Sequence, residues 1–434
     1  RLADGRNRSV LTYNDQLPGP VLVVCEDDIV VVILKNQIKN GLEEGADGST
    51  TLHLHGIRQV GRTDQNEEVF GPWSDGVPYV NQCPVQYKES FRYFFHATRE
   101  NMNAPPGTYW YHSHVGAQRT NGLEGVLVIR EKSYTESQID RDLVVALQEW
   151  YDSPTCQVPI SILVNGKGRI ADQKFDCRNA NELNKYERGI GGIFEKVEYL
   201  PTKNGEFSTN YESFKVDFSG TYRLRIAGLI GQNFPIRTSA VHCCDPSGTQ
   251  CSAPLNLTAI AADSLDIEPV RNVNYVWVAS GERFDVEIDL SSLNCPSTHL
   301  AQQYVKLNFI GSTNLFPQFR SLHYNTSVCS NAFLTTDGEV PDLDYVHSHN
   351  CTEHFSNYSN IFPENVRTLN PPSKTYSMFS QRIRNPHLDV DSKGYIYPVH
   401  ITSKHHVPTW DVIETTFIEF TNVSTFNNIR TTWP

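Results

Sequence analysis

Short runs of β-branched and aromatic residues, separated by turn residues, recur along the 434-residue chain: Val21 to Val24, Ile29 to Leu34, Phe91 to Phe95, Thr108 to His112, Val126 to Ile129, Leu143 to Leu147, Tyr222 to Ile226 and Phe284 to Ile288. Each has the length of a strand, and their spacing is that of β-sandwiches. No long segment keeps an apolar period of 3.6, and stretches such as Arg178 to Tyr186 can make only a helical turn or two. The chain is therefore expected to be all-β. At about 150 residues per domain, its length is a prior for roughly three domains. The polar stretch Glu131 to Arg141 and the irregular sequence after Gly311 place boundaries near 135 and 310, giving domains 1–135, 136–310 and 311–434. Strand-like patterning resumes at Tyr395 to Ile401 and Thr415 to Phe420. A free-standing sandwich needs about 100 residues and about seven strands, so the third domain is expected to be incomplete.

The charge balance narrows the partners. Lys+Arg 37 against Asp+Glu 49 gives −12, with no basic run to offset it, which argues against a nucleic-acid or anionic-membrane partner. The longest aliphatic run is Ile29 to Leu34, whereas a membrane-spanning helix needs about 20 residues, so no transmembrane segment is expected. Ten cysteines without a CxxC pair read as disulfides formed in an oxidising compartment. Cys243 and Cys244 are adjacent, too close for relaxed disulfide geometry, and are expected to take separate partners. Sequons begin at Asn7, Asn256, Asn325, Asn350, Asn357 and Asn422, in keeping with secretion. The first residue is Arg1, as expected of a processed or trimmed chain.

Two His-x-His pairs carry the chemistry: His53 and His55 in Thr51-Leu-His-Leu-His-Gly56, and His112 and His114 in Gly107-Thr-Tyr-Trp-Tyr-His-Ser-His114. On a strand, residues i and i+2 point to one face about 6.6 Å apart, so each pair aims two imidazoles into one space. Convergence of both pairs supplies four nitrogen ligands, a set suited to copper, zinc or iron and large enough for more than one ion.

Between the pairs runs Gly71-Pro-Trp-Ser-Asp-Gly-Val-Pro-Tyr-Val-Asn-Gln-Cys-Pro-Val85, and after them Gly122-Leu-Glu-Gly-Val-Leu-Val-Ile129. This closely resembles the first cupredoxin domain of the multicopper oxidases, the family of laccases, ascorbate oxidases and ferroxidases. The opening, Leu2-Ala-Asp-Gly5, Asn14-Asp-Gln-Leu-Pro-Gly-Pro20 and Val24-Cys25, looks most like the arthropod laccases. Tyr222 to Ile226, Ile260 to Asp263, Ile267 to Val270 and Gly281 to Asp285 look like the family's second domain. The resemblance implies consecutive cupredoxin-like Greek-key sandwiches, a type 1 copper in the third, and a trinuclear cluster of type 2 and type 3 copper between the first and third. Electrons from a small aromatic or Fe(II) reductant pass from type 1 to the cluster and reduce dioxygen to water. By that match His53 is the type 2 ligand, and His55, His112 and His114 are type 3 ligands. Asp75, in Trp73-Ser-Asp-Gly76, matches an acid that helps deliver protons, although Asp-Gly is also an ordinary turn.

The family's further His-x-His-Gly and His-Cys-His motifs do not occur before Pro434. The expectation is a truncated chain with half the cluster ligands and no type 1 site, completed by a missing C-terminal segment or a partner chain. The span from His55 to Asp75, containing Arg62-Thr-Asp-Gln-Asn-Glu-Glu68, is longer than the family pattern and is expected to be a surface loop. His347-Ser-His-Asn-Cys-Thr-Glu-His354 reads as a solvated loop, and His405 and His406 as solvent-facing. Two other classes compete with the oxidase: a non-catalytic cupredoxin-fold assembly protein, and a zinc hydrolase or hydratase with an open water position.

Overall fold

A computed structural model describes residues 9–40, 48–62, 68–70, 74–100, 103–151, 159–168, 211–231, 235–245, 251–296, 303–312, 327–341, 378–381 and 415–418. Two compact units are formed, Arg1–Glu182 with Gly191–Ile361, and Leu183–Ile190 with Phe362–Pro434. The first holds two sandwiches.

The first sandwich comprises β1 (Gly19–Cys25), β2 (Ile29–Lys35), β3 (His53–His55), β4 (Val60–Arg62), β5 (Glu68–Phe70), β6 (Ser90–His96), β7 (Gly107–His112) and β8 (Glu124–Arg130). One sheet has the order β1-β8-β7-β3, with β1 parallel to β8, and the other pairs β2 with β6. Alternation along the strands decides what each face buries. Leu54 on β3, Tyr93 and Phe95 on β6, Tyr109 and Tyr111 on β7, and Leu127 and Ile129 on β8 form the inner core. The intervening residues of β7 and β8, Trp110, Val126 and Val128, face the other way and pack on Ala146, Ala227 and Leu229 of the second sandwich. Full burial of each large apolar side chain contributes about 1.5–3 kcal/mol, so both faces of the β7–β8 pair are anchored. The expected surface loop after His55 is flanked by a ribbon, β4 against β5, in which Val60 pairs with Phe70; residues 63–67 lie outside the described residues.

A short helix α1 (Glu136–Ile139) lies in the polar connection, and Gln138 Oε1 accepts the Thr135 backbone N–H at 2.9 Å, one half of a capping box. The second sandwich follows with β9 (Asp142–Tyr151), β10 (Pro159–Val164), β11 (Lys167–Gly168), β12 (Glu212–Lys215), β13 (Thr221–Leu229), β14 (Ile236–Cys243), β15 (Leu257–Ala262), β16 (Leu265–Val273), β17 (Tyr275–Val278), β18 (Arg283–Asp289), β19 (Tyr304–Ser312) and β20 (Ser327–Thr335). Its sheets are β11-β10-β9-β13-β18-β15-β16 and β12-β20-β19-β14-β17, enclosing an aliphatic core that includes Leu224, Ile226, Val286 and Leu307. The boundary expected near 310 falls inside β19, and the sheet continues into β20, because Val305 to Ser312 pair residue for residue with Leu334 to Ser327. In the other compact unit, β21 (Met378–Gln381) pairs with β22 (Thr415–Ile418), the latter inside the strand-like Thr415 to Phe420. Arg178 to Tyr186, Tyr395 to Ile401, His347 to His354, His405 and His406 lie outside the described residues.

The eight runs between Val21 and Ile288 are all strands, and the only helix among the described residues is α1. Cys243 and Cys244 take separate partners, Cys251 and Cys295, whereas Cys25 and Cys83 are exposed and free, so the reading of the cysteines as disulfides does not hold for these two. Asn256, the one sequon asparagine among the described residues, is exposed. No helix among the described residues is long and apolar enough to cross a membrane.

Candidate metal centre

Strands β3 and β7 are antiparallel neighbours, with His53 opposite His112 and His55 opposite Trp110. Because Leu54 and Tyr111 turn into the core, His53, His55 and His112 stand together on the opposite face, whereas β7 ends at His112 and His114 joins the group from the segment beyond it rather than from the strand its spacing suggested. Ring centroids lie 5.2 Å apart for His53 and His112, 5.5 Å for His53 and His55, 5.6 Å for His53 and His114, and 5.7 Å for His112 and His114. One nitrogen from each of His53, His55 and His112 falls within 4.8 Å of the others.

Hydrogen bonds hold the two pairs in register. Gln118 Oε1 accepts from both Thr50 Oγ1 (2.8 Å) and Ser113 Oγ (2.7 Å), while Gln118 Nε2 donates to the Ser49 carbonyl (2.7 Å). This ties the segment before β3 to the segment carrying His114, whose backbone N–H reaches Thr51 Oγ1 at 3.3 Å. Two imidazoles have their tautomer set by a carbonyl, which can only accept. His53 Nδ1–H donates to the Asp75 backbone oxygen at 2.5 Å and His112 Nδ1–H to the Ser113 oxygen at 2.8 Å, leaving each Nε2 with a free lone pair. Asp75 also brings Oδ1 to 3.5 Å from His53 Nδ1. Gly76 lets this turn approach: its φ is +89°, and a Cβ there would stand 2.1 Å from the Leu52 carbonyl oxygen.

Desolvation disfavours the charged form of three of the imidazoles. His55 is pulled down to about 2 by desolvation, then by His53 and Arg283, and buried His112 falls well below its ordinary value by desolvation and His53. His114 is exposed and is lowered in the same direction by partial desolvation and His53. A neutral imidazole binds a cation without first losing a proton, so the donor set fits copper or zinc.

Two neighbours escaped the sequence reading. Trp110 stacks on His55 at 4.6 Å and on His112 at 4.2 Å, a contact that its place two residues before His112, on the same strand face, could have signalled. Glu124, opposite His112 on β8, is buried, accepts Gln148 Nε2 at 2.7 Å and is pushed up to about 8 by desolvation. A second His/Cys group, His242 with Cys244 and Cys295, has its two sulfurs joined to each other and offers no thiolate pair.

The family model for multicopper oxidases matches residues 1–134. Laccase-4 of Trametes villosa is 28% identical over 291 residues, which cover 65% of this chain and 44% of that protein. Dihydrogeodin oxidase of Aspergillus terreus is 33% identical over 302 residues, 67% of this chain and 40% of that protein. The chain thus spans less than half the length of these relatives. The crystal structure of Fet3p, a multicopper oxidase that functions in iron import, superposes with a TM-score of 0.51 at 19% identity, covering 83% of this chain and 54% of Fet3p, which supports the cupredoxin fold. With the His-x-His face, the sandwich order and the matched residues in agreement, the chain belongs to the multicopper oxidase family, whose metal is copper.

Proposed function

We propose that the chain carries the first-domain half of the trinuclear copper site of a secreted, laccase-like oxidase. Such an enzyme couples one-electron oxidation of a phenolic, aromatic or metal-ion reductant to four-electron reduction of dioxygen to water. The convergence of four imidazoles, His53 and His55 on β3, His112 at the end of β7 and His114 just beyond it, carries the reading. His53 is assigned to type 2 copper, and His55, His112 and His114 to type 3. The remaining cluster ligands and the type 1 site are assigned to a further segment or a partner chain. When bound, copper supplies the electron transfer and the dioxygen chemistry.

The chain's own residues do the rest. His53 and His112, locked by carbonyls on Nδ1, offer Nε2, and desolvation of half-buried His55 and buried His112 keeps protons from competing for their lone pairs. Asp75, 37% exposed, touches both solvent and the His53 ring edge, so its carboxylate can take a proton from water and pass it inward while holding no metal itself. Asp75→Asn is expected to keep copper and oxidation of the reductant but to slow reoxidation by dioxygen about 100-fold, most at higher pH where solvent protons are scarce. Stopped-flow reoxidation across pH tests this; an unchanged rate would leave Asp75 a turn residue.

Metal analysis of the chain as purified from its source, with no metal added, tests the assignment as a whole. Bound copper supports the oxidase. Zinc in its place supports the hydrolase, and no metal at any pH supports the assembly protein.

A further inference from the structure

We propose that the turn Ala279 to Glu282, which joins β17 to β18 in the second sandwich, positions the His55 imidazole for metal binding, with Gly281 as the residue on which this depends. The inference rests on the assignment of His55 as a copper ligand. None of the described residues of the second sandwich joins the imidazole cluster itself.

A Cβ at Gly281 would stand 2.9 Å from His55 Cε1, 3.0 Å from its Nε2 and 3.8 Å from Trp110 Cζ2. The backbone of the turn therefore lies against the Cε1–Nε2 edge of the ring, while Trp110 covers the ring face at 4.6 Å. His53 and His112 are oriented by carbonyl acceptors; for His55 the orienting contacts are steric, an indole on its face and a peptide at its edge. A metal ligand needs its ring direction fixed, and the shell that fixes it governs affinity.

The turn cannot retreat from the ring. Gly281 N–H donates to the Gly228 carbonyl at 3.0 Å, Gly228 N–H to the Glu282 carbonyl at 2.8 Å, and Ser280 Oγ to the Ile230 carbonyl at 2.9 Å. Ala279 N–H donates to Glu282 Oε2 at 2.8 Å. Arg283, buried just beyond the turn, donates Nη1 to the Gly281 carbonyl at 2.7 Å and Nε to the Thr108 carbonyl of β7 at 3.2 Å, clamping the turn to the strand that carries His112. Any side chain at Gly281 must then displace His55, because the backbone is held from behind.

Gly281 has φ +79°, so a substitution brings backbone strain as well as contact, and the experiment has to separate them. Asn adopts left-handed backbone more readily than Ala but is larger. Gly338→Ala supplies comparable strain, at φ +84°, and its nearest neighbour is Lys215, whose Cβ would lie 3.2 Å away. The metal-free 434-residue chain is titrated with Cu2+ by equilibrium dialysis, and the histidine ring nitrogens are followed by NMR before any metal is added. Gly281→Ala and Gly281→Asn are both expected to weaken Cu2+ binding about 10- to 100-fold and to shift the His55 ring signals before those of His53 and His112, with Gly338→Ala like the wild type. Ser280→Ala, which adds no atom beside His55 and only frees the turn, is expected to weaken binding in the same direction. Wild-type affinity and unshifted His55 signals in Gly281→Asn or Ser280→Ala overturn the inference, as does equal weakening by Gly338→Ala. A wild-type chain that takes up no Cu2+ overturns the copper assignment instead, and the ring spectra then decide the positioning role alone.

Discussion

Replacing Asp285 with Ala is expected to cost the chain about 3–5 kcal/mol of stability, the usual penalty for stripping one partner from a buried ion pair. Asp285 is 2% exposed and accepts Arg223 Nε at 2.9 Å, Arg225 Nη1 at 3.1 Å and Thr108 Oγ1 at 2.7 Å. Arg225, also 2% exposed, spends its other nitrogens on Asp142 and Tyr134. Without Asp285, Arg223 loses its ion-pair partner and Arg225, which has no route to water, keeps only Asp142. Thr108 belongs to the first sandwich and the arginines to the second, so the loss falls on the seam that also carries the Gly281 turn. The denaturant midpoint of the full chain measures the effect, and Asp285→Asn, which keeps an acceptor oxygen, should lose less. A midpoint shift equivalent to under about 1 kcal/mol would mean that water screens the cluster as it does surface pairs.

His112→Ala is expected to lower copper affinity at least about 100-fold, since disturbing a group that merely orients a ligand already costs 10- to 100-fold. His112 is buried, its tautomer is fixed by the Ser113 carbonyl, and its ring lies against Trp110, so no neighbouring side chain can take its place. Copper per chain after dialysis, with circular dichroism to verify the fold, measures the loss. Retention of the wild-type copper content would remove His112 from the metal centre.

The strands and the histidine face were legible because both depend on local alternation. Leu54, between His53 and His55, alternates away from the histidines in the sequence itself, and the core receives it. What stayed hidden depends on pairing across long separations. Arg223 and Arg225 look like a solvent face in Thr221–Leu229, yet the neighbouring sandwich buries Arg225. Ser327–Thr335 is too polar to announce an interior strand, and only its pairing with β12 and β19 makes it one, which is why the sequence alone places a boundary near 310. Gly281 reads as an ordinary turn glycine until the fold brings His55 against it.

The parallel pairings fix when this chain can fold as it is made. β1 closes its sheet on β8, with Gly19 beside Gly125, so the opening strand of the first sandwich waits on the ribosome for the last one. The second sandwich repeats the delay, since β12 lies parallel to β20 with Glu212 beside Ala332. Loop-closure entropy must be met before such distant contacts repay it. Synthesis therefore passes two thresholds, one near Arg130 and one near Thr335, and a nascent chain halted just short of either leaves an unpaired strand edge as a target for chaperones and proteases.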